Sequence, residues 1–169
     1  EGFAAFGEWL YRQVGCIGKR RYVPDVSVVR NMKYCLERGD SVVLFPESRH
    51  SNVGTTSYIS GNLGKLAKVM GVPVVTLVVH GSYLANPFWD EEHTRIVPME
   101  ARMECVYTKE ELQNASGEQI QKRLYQALQY DEYAWQKARG IKITKPGRAE
   151  GLHKALYKCR CCMDEESMA

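Results

Sequence analysis

The stretch SVVLFPESRHS, Ser41 to Ser51, sets a continuous apolar run directly against a group of charged side chains. A short run such as Val42 to Phe45, with no polar alternation, predicts a strand buried on both faces, as in parallel sheets. The strand then hands Pro46, Glu47, Arg49 and His50 to one loop. Ligands of parallel α/β sheets bind beyond the carboxyl ends of the strands. That places the first candidate site at this loop.

Outward from this stretch the pattern is that of an α/β protein. Phe3, Phe6, Leu10 and Val14 recur at helical spacing, which predicts an amphipathic helix over residues 1–14. Asp25 is placed to cap a second helix with Val28, Val29, Met32, Cys35 and Leu36 on its apolar face and Gly39 as its stop. After a loop rich in Ser, Thr, Gly and Asn, a helix from about Asn62 to Met70 ends at Gly71. VPVVTLVVHGS is a second buried-strand run, so strand, helix and strand read as a βαβ unit with parallel strands. Such pairing would bring Glu47, Arg49 and His50 to the same edge as His80 and Ser82. ARMECVY predicts a third strand. Ser116 and Gln119, in capping-box spacing, open a long helix expected to reach about Arg139.

The totals bound the function. A chain of 169 residues, 44% hydrophobic and 25% charged, is long enough for one packed domain. A net charge of +3 excludes the strong basicity of a dedicated nucleic-acid binder. Basic residues nevertheless cluster at Lys19, Arg20, Arg21, Arg30 and Lys33, and again from Lys137 to Arg160, a pattern of solvated surface or of contact with phosphate or an anionic membrane. No run approaches the roughly 20 apolar residues that span a bilayer. Six cysteines follow no secreted disulfide pattern, which points to a reducing, cytoplasmic setting.

Three blocks together resemble a known family. VGCIGKR, VVLFPESRHS and GVPVVTLVV come in the order and approximate spacing of blocks in the glycerolipid acyltransferases, the enzymes similar to 1-acylglycerol-3-phosphate acyltransferase. The resemblance covers about Val14 to Pro87, with Phe45-Pro46-Glu47 at its centre. It implies a glycerol-3-phosphate acyltransferase-like fold, a mixed and mostly parallel sheet with flanking helices, lacking its first part. It also implies transfer of a fatty acyl group from acyl-CoA or acyl-carrier protein to a lysophospholipid or glycerol-phosphate acceptor, with no cofactor or metal. Carried over by position, Arg20, with Lys19, would contact the acceptor phosphate. Glu47 would order the loop or bind the acceptor. Where the family has Gly-Thr-Arg-Ser, this chain has Ser48-Arg49-His50-Ser51, so the second cation is Arg49 or, one position later, His50, and only Ser51 fits again. A permanent planar guanidinium suits phosphate better than imidazole, which favours Arg49.

The family's base is a His-x-x-x-x-Asp, in which Asp holds the tautomer of His. The four histidines here, His50, His80, His93 and His153, are followed five residues on by Thr55, Ala85, Pro98 and Lys158. The expectation is therefore a chain that has lost its catalytic pair with a missing N-terminus and is inactive alone. The rival reading is a non-catalytic module of the same fold that binds lipid or a partner. His80, between an apolar strand and Gly81, reads as a structural histidine. SGNLGKLA has neither the spacing nor the hydroxyl of a phosphate loop. A lipid acceptor implies peripheral attachment to a membrane, to which the aromatic first helix could contribute.

The domain reading is a partial acyltransferase domain over 1–140 and an extension over 141–169. Its Cys-rich end holds Cys159 and Cys162 in C-x-x-C spacing. A zinc ribbon needs four ligands, and no second pair follows. Either this is half of such a ribbon or a disordered tail with reactive thiols.

Overall fold

The computed structural model describes residues 9–11, 13–18, 25–47, 49, 51–90, 94–156, 158–159 and 161–165. The order of elements is α1 (Val26–Glu37), α2 (Leu63–Met70), β1 (Val74–His80), the single turn α3 (Ser82–Ala85), β2 (Glu100–Tyr107), α4 (Lys109–Asn114), α5 (Gly117–Ala127) and α6 (Glu132–Ala138), then a 3-10 turn at Leu152–Lys154. It is a mixed α/β chain in which, among the described residues, helices pack on one side of a two-stranded sheet.

The sheet corrects the sequence reading. β1 pairs with β2 in antiparallel register, from His80 opposite Glu100 to Val74 opposite Tyr107. Residues 41–45 join no ladder, and Val43 and Phe45 are 80% and 81% exposed. A run this apolar pairs only where a neighbouring strand offers its edge, and none does so among the described residues. The parallel βαβ unit is therefore absent from them. β1 is also covered on one face only: Thr76 and Val78 are buried while Val75, Leu77 and Val79 are exposed. The partners of the exposed set, Cys105, Met103 and Ala101, share that open face.

Helix ends follow local chemistry. Asp25 Oδ1 accepts the Ser27 N–H at 3.1 Å and opens α1. Gly71, at φ 65°, closes α2 in the left-handed conformation that glycine adopts without steric cost. Thr108 and Glu111 form a capping box for α4, and Ser116 and Gln119 form the expected one for α5. The single long helix expected up to Arg139 is two helices. Asp131 accepts from the N–H groups of Tyr133 and Ala134 and starts α6 afresh, so the backbone turns at 128–131. Of the first predicted helix, residues 9–11 and 13 are helical, with Trp9 and Tyr11 exposed. Phe3 and Phe6 lie outside the described residues.

The core lies where β2, α4 and α5 meet. Val106, Tyr107, Leu112, Ile120 and Leu124 bury together, with Leu63, Ala67 and Val74 packed against them. The approach of α2 to α5 explains Gly64. A Cβ there would collide with Gly117 O and with the Gln121 backbone, and the Gly64 N–H instead donates to Gln121 Oε1 at 2.7 Å. The second glycine of SGNLGKLA thus serves helix packing.

A second packed region ties the extension to the loop after α3. Arg95 and Asp90 form a buried ion pair at 3.3 Å, and the guanidinium also lies over the Trp89 ring. Arg95 Nη2 donates to the carbonyl of Arg148 at 2.7 Å. Gly151 abuts the Trp89 carbonyl so closely that a side chain has no room. Among the described residues near the end of the chain, Lys158 and Glu165 form an isolated antiparallel bridge around the cysteines.

Candidate functional site

The loop after residue 45 is folded back by hydrogen bonds. Glu47 Oε2 accepts the Ser57 N–H at 2.8 Å. Ser51 Oγ donates to the Thr55 carbonyl at 2.9 Å. The following residues are stitched to the 128–132 turn. Thr55 bridges Asp131, the Thr56 N–H donates to Tyr130 O at 3.2 Å, and the Tyr130 N–H donates to Thr56 Oγ1 at 2.7 Å. The Glu132 N–H donates to Gly54 O at 2.9 Å. Gly54, at φ 71°, lies under the Tyr83 and Tyr133 rings, where any side chain would clash.

This stitching carries the loop to the end of β1. His80 Nδ1 lies 3.3 Å from Glu132 Oε1, and the other carboxylate oxygen accepts the Gly81 N–H at 2.8 Å. The His80–Glu132 distance is that of an ion pair, but neither atom has a hydrogen bond of acceptable geometry. The two groups are therefore neighbours without a shared hydrogen bond. The imidazole stacks on Trp135, 5.2 Å between centroids and 10° between planes, and meets Tyr130 edge-on at 6.2 Å. Its side chain is 17% exposed whereas that of Glu132 is 1% exposed, so the pair opens to solvent on the histidine side.

Tyr130 links the two halves. Burial pushes its phenol above the ordinary tyrosine value; the Glu47 and Glu132 charges push the same way, and the bond with Ser51 opposes them. Burial likewise raises the Tyr83 phenol, helped by its bond to Tyr133. Tyr83 donates to Asn52 O at 3.0 Å and so holds the same loop.

Of the residues singled out in the sequence, Glu47 and Ser51 thus gather with His80 around Tyr130, although no parallel strand pair brings them there. Arg49 is exposed on the same loop. Lys19, Arg20 and His50 lie outside the described residues. Glu132 was missed by sequence reasoning. The available signal was two acids, Asp131 and Glu132, set among Tyr130, Tyr133 and Trp135, since a carboxylate in so aromatic a stretch is readily buried. A shallow hollow of about 340 Å³, lined by Lys65, Gln121, Lys122 and Tyr125 among others, lies between α2 and α5 and shares no residue with this loop. Among the described residues no group of three or more metal donors occurs, and no helix is long and apolar enough to cross a membrane.

The chain is thus a mixed α/β protein that presents a fixed carboxylate and an exposed arginine on one loop beside a buried carboxylate–imidazole pair. Residues 2–80 match the family model described as Acyltransferase. This segment, just under half of the chain, is similar to acyltransferases and consistent with the glycerolipid acyltransferase family, and it contains the Glu47 loop and all of β1. Neither the curated proteins nor the solved structures give a match.

Proposed function

We propose that the chain is the acceptor-binding part of a glycerolipid O-acyltransferase. In this reading the whole enzyme moves a fatty acyl group from acyl-CoA or acyl-carrier protein to the hydroxyl of a lysophospholipid or glycerol phosphate, in phospholipid biosynthesis. The observation that carries it is the position of Glu47, anchored on Ser57 within the family-matched segment, with Arg49 exposed two residues on. Arg49 and, from the preceding block, Lys19 and Arg20 supply cations for the acceptor phosphate, with His50 and Ser51 following Arg49 in the sequence. Charge-assisted bonds from a guanidinium fork suit that group.

The chemical step needs a base on the acceptor hydroxyl. No histidine of this sequence has an aspartate five residues later, so the 169-residue chain binds acceptor without turnover. The exposed run Val43 to Phe45 and the open face of β1 fit the same reading, since in a glycerol-3-phosphate acyltransferase-like fold further strands would pair with the run and flanking helices would cover the face. The setting proposed is cytoplasmic, at a membrane surface where the lipid acceptor is met.

Calorimetry with lysophosphatidic acid and with glycerol 3-phosphate, alongside assay of free-thiol release from acyl-CoA, tests this. Binding without thiol release is expected, weakened about tenfold or more by Arg49→Ala through loss of a charged hydrogen bond. Absence of binding removes the acceptor role, and sustained thiol release by the isolated chain refutes the claim that its chemistry lies elsewhere. Cosedimentation with anionic but not neutral vesicles is the expected membrane result.

A further inference from the structure

The hairpin at 158–165 holds three cysteines in a turn closed by backbone bonds. The Cys159 N–H donates to Asp164 O at 2.9 Å and the Met163 N–H donates to Cys159 O at 3.0 Å. Met163 takes φ 63°, the left-handed conformation that brings the chain round. Within this turn the Cys161 N–H points at Cys159 Sγ, 3.4 Å away. Cys161 and Cys162 are exposed, Cys159 is partly so, and all three are free thiols.

We propose that Cys159 and Cys162 are a redox pair that closes into an intramolecular disulfide on meeting a low-molecular-weight disulfide. Cys159 opens the turn, Cys162 directly precedes Met163, whose N–H closes it on Cys159 O, and Cys161, which supplies an N–H to Cys159 Sγ, lies between the two cysteines. The backbone N–H groups of Cys162 and Cys161, together with the Cys162 thiol, pull the Cys159 thiol below its ordinary value. Thiolate is the attacking species in exchange, and thiols near ambient pH attack best. Cys159 is accordingly the nucleophile and Cys162 the resolving thiol. Two thiols suffice for this chemistry, whereas tetrahedral zinc needs four donors.

The step balances. Cys159 thiolate attacks one sulfur of the disulfide, forms a mixed disulfide and releases one thiolate. Cys162 then gives up its proton, attacks Cys159 Sγ and releases the second. The two cysteines are oxidised by two electrons and the small disulfide is reduced to two thiols.

The test is incubation of the full chain with oxidised glutathione, trapping of remaining thiols with a maleimide, and peptide mass spectrometry. A peptide lighter by two hydrogens and linked between Cys159 and Cys162 is expected, unchanged in Cys161→Ser. Cys162→Ser should stop at glutathione on Cys159. Iodoacetamide at neutral pH should consume Cys159 at least about tenfold faster than exposed Cys105. Equal glutathionylation of Cys16, Cys105 and Cys159 would overturn the proposal. So would a Cys161–Cys162 link, or stoichiometric zinc that shields both thiols.

Discussion

Glu132 Oε1 stands 3.3 Å from His80 Nδ1, while Glu132 Oε2 accepts the Gly81 N–H at 2.8 Å, so one fully buried carboxylate holds both the last residue of β1 and the turn that follows it. Its own N–H reaches Gly54 O, in the loop that continues from Glu47. The strand end and the candidate acceptor loop are therefore fastened through a single residue. A carboxylate taken out of water is costly unless its oxygens are met, and here only one of them has a well-formed hydrogen bond.

Glu132→Ala should leave the Gly81 N–H without an acceptor and open a cavity under His80. The combined loss is about 3 kcal/mol, the sum of an unmade buried bond and a packing defect. Glu132→Gln retains an oxygen for Gly81 and should lose about 1 kcal/mol. Urea unfolding of the three proteins measures both. Equal midpoints for wild type and the Ala variant would show that the carboxylate does not fasten the strand end.

Gly64→Ala tests the close approach of α2 and α5. Alanine would gain up to about 1 kcal/mol of helix propensity. Against this stands the collision of the new methyl with Gly117 O and the Gln121 backbone, neither of which can rotate away. Overpacking of this kind costs about 1–3 kcal/mol. A net fall of a few degrees in Tm is expected for a chain of this size. A rise in Tm would mean that the helices separate at little cost.

The raised phenols of Tyr83 and Tyr130 give a pH dependence with a definite sign. Folding favours their protonated forms, so their contribution to stability is whole below the unfolded tyrosine value of about 10 and is lost as pH rises past it through the folded values. Phenolate absorbance should show these two ionising after exposed tyrosines, and Tyr83→Phe or Tyr130→Phe should each remove one late step. Early titration of both would contradict the buried setting.

Helix limits were legible in the sequence because they are set by neighbours in the chain: Asp25, Gly71 and the Ser116–Gln119 box act over a few residues. The split between α5 and α6 was equally local, and was missed because Asp131 sits inside an apolar periodicity that reads as continuous helix. Strand pairing is not local. SVVLF carries the composition of a buried strand, yet whether it pairs depends on an edge supplied from elsewhere, and β1 takes β2 instead. Glu47 could be named from its Phe-Pro-Glu context. Its association with Tyr130 and Glu132 arises from bonds between residues more than 70 apart, such as Thr56 with Tyr130, which no spacing encodes.

Asp90→Ala tests how firmly the extension is joined to the rest. Arg95 is 6% exposed at its side chain and its carboxylate partner 5%, so removing Asp90 leaves a guanidinium out of water without its counter-charge. Loss of one member of a buried pair costs about 3–5 kcal/mol. Because Arg95 also donates to Arg148 O, relaxation of the guanidinium toward solvent should release the 145–151 turns as well. Trypsin should then cut after Arg148 well before it cuts within α5, and a double variant with Arg95→Met should regain part of the lost stability by removing the stranded charge. Unchanged stability and unchanged cleavage in Asp90→Ala would show that the Trp89 ring and the Arg148 carbonyl hold Arg95 unaided.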